Sequence, residues 1–147
     1  MLLDENQSKK YKIGYTQGTY DLFHVGHLNL LENAKKQCEF LIVGINSDEL
    51  VMNYKNKKVN ITAQDRARIV RALKVVDEAY VVSTLDKEVA YSRFRFNAIF
   101  IGDDWKGNPR WIDTEKKLAK HGVDLVYLPY TKGISTTQIS NNMKSRE

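Results

Sequence analysis

The 147-residue chain holds one cysteine, Cys38, which excludes an intramolecular disulfide and suits a reducing compartment. Cys38 itself reads as a small, partly buried apolar side chain. Only two prolines occur, and no Pro/Gly-rich linker, internal repeat or low-complexity tract divides the chain. One domain over residues 1–147 is therefore expected, with residues 1–10 as a loose polar arm. No apolar run approaches the roughly 20 residues of a membrane helix, and MLLDENQSKK has no sustained apolar stretch of the signal-peptide kind. A cytoplasmic protein without a membrane partner is the expectation. Several signatures are also missing. GxxxxGK[ST] is absent, since GDDWKGN lacks the lysine and hydroxyl in the right places, and no GxGxxG follows the first strand. There is no GxSxG elbow of an acyl hydrolase and no HExxH zinc pair.

What is present is globular in composition: 42% hydrophobic and 28% charged, a balance that can bury a core. The net charge of +5 admits nucleic acid, membrane surfaces or small polyanions as partners. Most lysines are scattered as on solvated helix faces, and only YKNKK (54–58) is a dense basic cluster. YSRFRF (91–96) interleaves aromatics with arginines as single-strand binders do, but its plainer reading packs Tyr91 and Phe94 inward. No nucleic-acid partner is expected.

Along the chain, YKIGYTQ (11–17), FLIVGIN (40–46), EAYVVS (78–83), NAIFIG (97–102) and VDLVYLP (123–129) read as five strands. Helices are expected from Gly26 through GHLNLLENAKK, and from the capping Thr62 through TAQDRARIVRALKVV. DTEKKLAKHG, closed by Gly122, and the final STTQISNNMKS read as helices too, and SDELVM as one short turn. Alternating strands and helices imply a parallel, helix-covered sheet that binds ligands beyond the carboxyl ends of its strands. Three polar segments would meet there: Gly18 to His27, Gly102 to Trp105 and Thr131 to Thr137.

The first of them, GTYDLFHVGH (18–27), carries two histidines three apart. Zinc would need at least a third protein ligand, and no motif links Cys38 or His121 to the pair, so no metal site is expected. Two core histidines are the plainer alternative. However, Gly26 lies between them, and Thr19 and Asp21 precede them at a helix entrance. Free N–H groups and the positive dipole end favour phosphate there, and two imidazoles add donors.

GTYDLFHVGH, GDDW (102–105), VDEAYVV (76–82) and TKGISTT (131–137) together resemble the HxGH nucleotidyltransferase superfamily. Within it they are most similar to the cytidylyltransferase branch, the bacterial glycerol-3-phosphate cytidylyltransferases in particular. The resemblance implies a Rossmann-like α/β fold, a five-stranded parallel sheet in the order 3-2-1-4-5 with helices on both faces, and a homodimer. It implies CMP transfer from CTP to a small phosphorylated acceptor, glycerol 3-phosphate first, giving a CDP-linked product for surface polymers such as teichoic acid or capsule. Mg2+ would be carried with CTP. By motif position, His24, His27 and Lys57 would be catalytic. Gly18, Thr19, Asp104 and Trp105 would bind nucleotide, as would Tyr130, Thr131, Ser135 and Thr136. Lys55, Arg66 and Lys74 would bind the acceptor, and Asp21 would brace the loop.

The sequence departs from the branch at Tyr130, where arginine is usual, at Lys132, where an acid is usual, and at Lys74, where the nearest relatives carry arginine. STLDKEVAYSRF also differs from the expected acceptor-side segment. Other acceptors (phosphocholine, phosphoethanolamine, another phosphorylated polyol, acid or amino acid) and an ATP-using adenylyltransferase are the alternatives within the class. A nucleotide- or RNA-binding module without turnover is the alternative outside it.

Overall fold

The computed structural model describes residues 9–129. Five parallel strands, β1 (Tyr11–Gly18), β2 (Cys38–Asn46), β3 (Glu78–Val82), β4 (Ala98–Gly102) and β5 (Asp124–Leu128), form one sheet in the order β3-β2-β1-β4-β5. This is the expected order, with each strand within two residues of its expected bounds. The helices are α1 (Val25–Lys35), α2 (Asp48–Lys55), α3 (Ala63–Arg71), α4 (Lys87–Phe94) and α5 (Pro109–Ala119).

Both sheet faces are covered, so strand residues of both parities are apolar. Leu41, Val43, Ala98 and Phe100 pack with Leu31 and Ala34 of α1 and with Ala67 and Val70 of α3. Ile42, Ile99 and Ile101 face the other way, onto Ala90 of α4 and Trp111 and Leu118 of α5. Each fully buried Leu, Ile or Phe contributes on the order of 2 kcal/mol through area removed from water. Cys38 is wholly buried in the first cluster, deeper than expected, and burial pushes its thiol up to about 11.

Several helix bounds differ from those read in the sequence. α3 stops at Arg71 instead of running through ALKVV, where Leu73 and Val76 close i→i+3 turns into β3. α5 begins early because Asn108 caps it and Pro109 occupies its first turn. α2 is a full helix of eight residues that extends into the basic cluster as far as Lys55. α4, capped by Asp86, has a weakly amphipathic pattern, so that the sequence shows only an inward-packing segment there. Its aromatics do pack inward: Tyr15 stacks on Phe94 and Phe96 at 5.3 and 4.8 Å, and Tyr91 joins the same cluster. The expected C-terminal helix lies outside the described residues, as do residues 1–8 of the expected arm. Lys9 donates to the Lys35 carbonyl at 2.9 Å.

Candidate active site

At the carboxyl ends of the strands lies a cavity of about 380 Å³, the size of a small-molecule site. The loop from β1 into α1 forms part of its wall and is unusual in its backbone. Tyr20 and Leu22 adopt left-handed φ values of 55° and 50°, which non-glycine residues rarely hold without support. The support is a set of hydrogen bonds from outside the loop. The Asp21 carboxylate accepts from the Asn60 and Ile61 amides at 2.8 and 3.0 Å and from the Asn60 side chain at 3.0 Å. Arg66 donates to the Thr19, Asn46 and Ile61 carbonyls at 2.6 to 2.8 Å and pairs with Asp48 at 2.5 Å. Gly18 is required where the loop begins, because a Cβ there would meet the Tyr20 ring at 2.9 Å.

His24 is the N-cap of α1, and the two histidines share the work of capping. His24 Nδ1 accepts from the Gly26 amide at 3.0 Å, and His27 Nδ1 accepts from the His24 amide at 3.2 Å. A ring nitrogen that accepts from a backbone N–H carries no proton, so each neutral ring holds its proton on Nε2. The rings stack with centroids 3.9 Å apart, and both line the cavity. Burial, followed by the neighbouring His24, lowers His27 to about 4; burial also lowers His24. Near neutral pH the pair is therefore uncharged, with two Nε2–H donors that have no protein partner among the described residues. That is a surface for anionic oxygens.

Of the other expected residues, Gly18, Thr19, Lys55, Lys57, Asp104 and Trp105 all line this cavity. Thr19 is held in a hydrogen-bonded row. Tyr15 donates to Gln17 at 2.6 Å, Gln17 to Asn46 at 2.9 Å, and Asn46 to Thr19 and Tyr54 at 3.3 and 3.1 Å. Lys55 ends α2 and Lys57 is half-buried just beyond it, so the cluster is held by α2 and by Tyr54, whose hydroxyl accepts from Asn46. Burial raises the Asp104 carboxyl.

Two expectations need correction. Arg66 is 1% exposed and spends its guanidinium on Thr19, Asn46, Ile61 and Asp48, so it frames the loop rather than facing an acceptor. Lys74 is exposed beyond the end of α3, before the amino end of β3, and does not line the cavity, which lies at the strands' carboxyl ends. Tyr130, Thr131, Lys132, Ser135 and Thr136 lie outside the described residues. Gln17, Asn46, Tyr54, Lys87 and Arg110 line the cavity without having been singled out in the sequence. The polar pair Gln17 and Asn46, each at the carboxyl end of an apolar strand, was the signal available.

Comparison with known proteins gives the family. A cytidylyltransferase-like family model matches residues 15–142, and the chain belongs to that family. It is 37% identical to the glycerol-3-phosphate cytidylyltransferase of Bacillus spizizenii, over 88% of this chain and 95% of that one. It is 33% identical to the FAD synthase of Thermococcus onnurineus, over 87% and 85% of the two chains. Among solved structures, the lipopolysaccharide core biosynthesis protein of Thermoplasma volcanium superposes with a TM-score of 0.73. That pair shares 24% identity, covering 83% of this chain and 99% of the other, and so a common fold. The chain is a nucleotidyltransferase of the cytidylyltransferase-like kind.

Proposed function

We propose that the protein transfers CMP from CTP to a small phosphorylated acceptor, glycerol 3-phosphate first, giving a CDP-linked product and pyrophosphate. The observation that carries this reading is the neutral, doubly capped histidine pair at the start of α1, inside a cavity that Lys55 and Lys57 also line. A phosphomonoester oxygen is ionised near neutral pH and needs no general base. It forms a new bond to the α-phosphorus while the bond to the pyrophosphate oxygen breaks in line, and no proton has to move. Catalysis then comes from alignment and from stabilising charge on the equatorial oxygens. His24 and His27 supply fixed Nε2–H donors for those oxygens, Lys57 supplies a positive charge, and Lys55 holds the acceptor phosphate.

Among the described residues no cluster of three or more His, Cys, Asp or Glu side chains is placed to cage a metal. Asp21 is already bonded to backbone amides, which leaves Asp104 as the cavity's available carboxyl. This donor set fits Mg2+ that arrives on the triphosphate with most of its waters, where it neutralises phosphate charge. The same reading has the protein acting as a cytoplasmic homodimer whose product feeds surface polymer synthesis. The FAD synthase relatives favour a second reading, AMP transfer from ATP. Pyrophosphate release across CTP and ATP with a panel of phosphorylated acceptors separates them. The expected result is turnover with CTP plus glycerol 3-phosphate and little with ATP, whereas ATP turnover of equal size would favour the second reading.

A further inference from the structure

The hydrogen-bonded row that ends at Thr19 has a direction, and one backbone carbonyl sets it. A carbonyl oxygen cannot donate, so the Thr84 carbonyl, 3.0 Å from Gln17 Nε2, fixes which way round the Gln17 amide lies. Gln17 Oε1 then faces the wholly buried Tyr15, whose hydroxyl donates to it at 2.6 Å. The second hydrogen on Gln17 Nε2 goes to Asn46 Oδ1 at 2.9 Å, and this fixes the Asn46 amide in turn. Asn46 is only 3% exposed. Its two Nδ2 hydrogens are spent on the hydroxyl oxygens of Thr19 and Tyr54, at 3.3 and 3.1 Å.

Both hydroxyls are thereby acceptors toward Asn46, and each still has one hydrogen to place. The two oxygens lie 3.3 Å apart, so one hydroxyl can give its hydrogen to the other. The hydrogen of the receiving hydroxyl then has no protein acceptor among the described residues. Both side chains line the cavity, so that hydrogen is offered to the ligand. A phenol is more acidic than an alcohol and is the stronger donor to an anionic oxygen. An anion in the cavity therefore favours the arrangement in which Thr19 donates to Tyr54 and Tyr54 donates to the ligand. Tyr54 also stands where such an oxygen is expected. It lies between Thr19, in the loop that carries the histidines, and Lys55, whose ammonium is 5.4 Å over the Tyr54 ring.

We propose that Tyr54 is a phosphate-binding residue of this site, its hydroxyl held as a donor by the Gln17 and Asn46 amides, which act as positioning residues. This rests on the transferase reading above and deepens it. The recognised group is an anionic phosphate oxygen, on CTP or on the acceptor, and the substrate whose binding weakens tells which. An amide row of the opposite polarity would draw both hydroxyl hydrogens to itself and leave the cavity only lone pairs, which repel phosphate.

The test is steady-state pyrophosphate release from CTP and glycerol 3-phosphate by the parent, Tyr54→Phe, Gln17→Met and the double variant. Tyr54→Phe removes one oxygen and keeps the ring beneath Lys55. It should raise KM for one of the two substrates by about 10- to 100-fold, the usual range for a lost hydrogen bond to a charged group. KM for the other substrate should hold within about threefold. Gln17→Met keeps the length of the side chain but cannot fix the Asn46 amide, and it should raise the same KM by about 3- to 10-fold. Added to Tyr54→Phe it should cost less than about twofold more, because its effect runs through the Tyr54 hydroxyl. A fall in kcat alone, an equal rise in both KM values, or no change in Tyr54→Phe overturns the proposal. Losses that multiply in the double variant overturn the role of the amides. If Gln17→Met does not fold, Tyr54→Phe decides alone. A parent inactive with CTP and every acceptor would instead remove the transferase reading. Calorimetric titration of the parent and Tyr54→Phe with CTP and with glycerol 3-phosphate would then decide on Tyr54, equal affinities counting against it.

Discussion

At the scale of single residues, each histidine does two jobs that substitution can separate. His24 caps α1 through Nδ1 and offers Nε2–H to the cavity. Asparagine is a strong N-cap but places no donor where Nε2 stands. His24→Asn should therefore keep the thermal midpoint within a degree or two while turnover falls by roughly two to four decades. A variant with near-normal turnover would remove His24 from the chemistry. His27 also links protonation to folding. Its folded value of about 4 lies below the ordinary 6.5, so as pH falls the unfolded chain takes up the proton first. The stability it contributes is complete above pH 6.5 and drains away toward pH 4. Between pH 7 and 4.5 the parent should lose about 2 kcal/mol more than His27→Gln, which can keep the capping bond without titrating. Urea unfolding of both proteins at the two pH values measures the difference, and parallel losses would refute the link.

At the scale of elements, the loop between β1 and α1 is held by the segment leading into α3, not by itself. Asp21 reaches Asn60 and Ile61, and Arg66 reaches back to Thr19 and Asn46. Removing a buried charged partner leaves carbonyls and the Asp48 carboxylate poorly satisfied. Lysine cannot reproduce the planar fork of donors. Arg66→Lys should cost about 3 kcal/mol, or near 10 °C in midpoint, and should lower kcat without a selective rise in KM for the acceptor. Differential scanning fluorimetry with matched kinetics checks this. An unchanged midpoint with only the acceptor KM raised would restore Arg66 to the acceptor site.

At the scale of the whole molecule, the basic balance has a local address. Lys55, Lys57, Lys87 and Arg110 all line one cavity of a chain with net charge +5. A triphosphate bound there stabilises the folded state by mass action, about 2.7 kcal/mol at one hundred times its Kd. For a chain of this length that is a rise of about 5–10 °C in midpoint with CTP. The rise should shrink as salt increases, since the Debye length falls from about 30 Å at 0.01 M to about 10 Å at 0.1 M. A CTP shift indifferent to salt would mean that these cations do not gather the triphosphate.

What the sequence determined by itself is what short-range pattern can carry. Five apolar strands, the start of α1 at GTYDLFHVGH and the capping Thr62 follow from periods of two and 3.6 residues and from caps a few positions from their targets. The histidines, Thr19 and the basic cluster were visible for the same reason: they sit together in the chain. Helix limits were less so, because tertiary turns end α3 early and Asn108 with Pro109 starts α5 sooner. The rest was decided only by folding. Arg66 looked like a free cation until it met a carbonyl 47 positions away, and Gln17 found the Thr84 carbonyl 67 positions on. Lys87 was one lysine among many until the sheet and Trp111 closed over it. Burial and the identity of distant partners decide whether a charge is structural or available, and both exist only once the chain has closed those long loops.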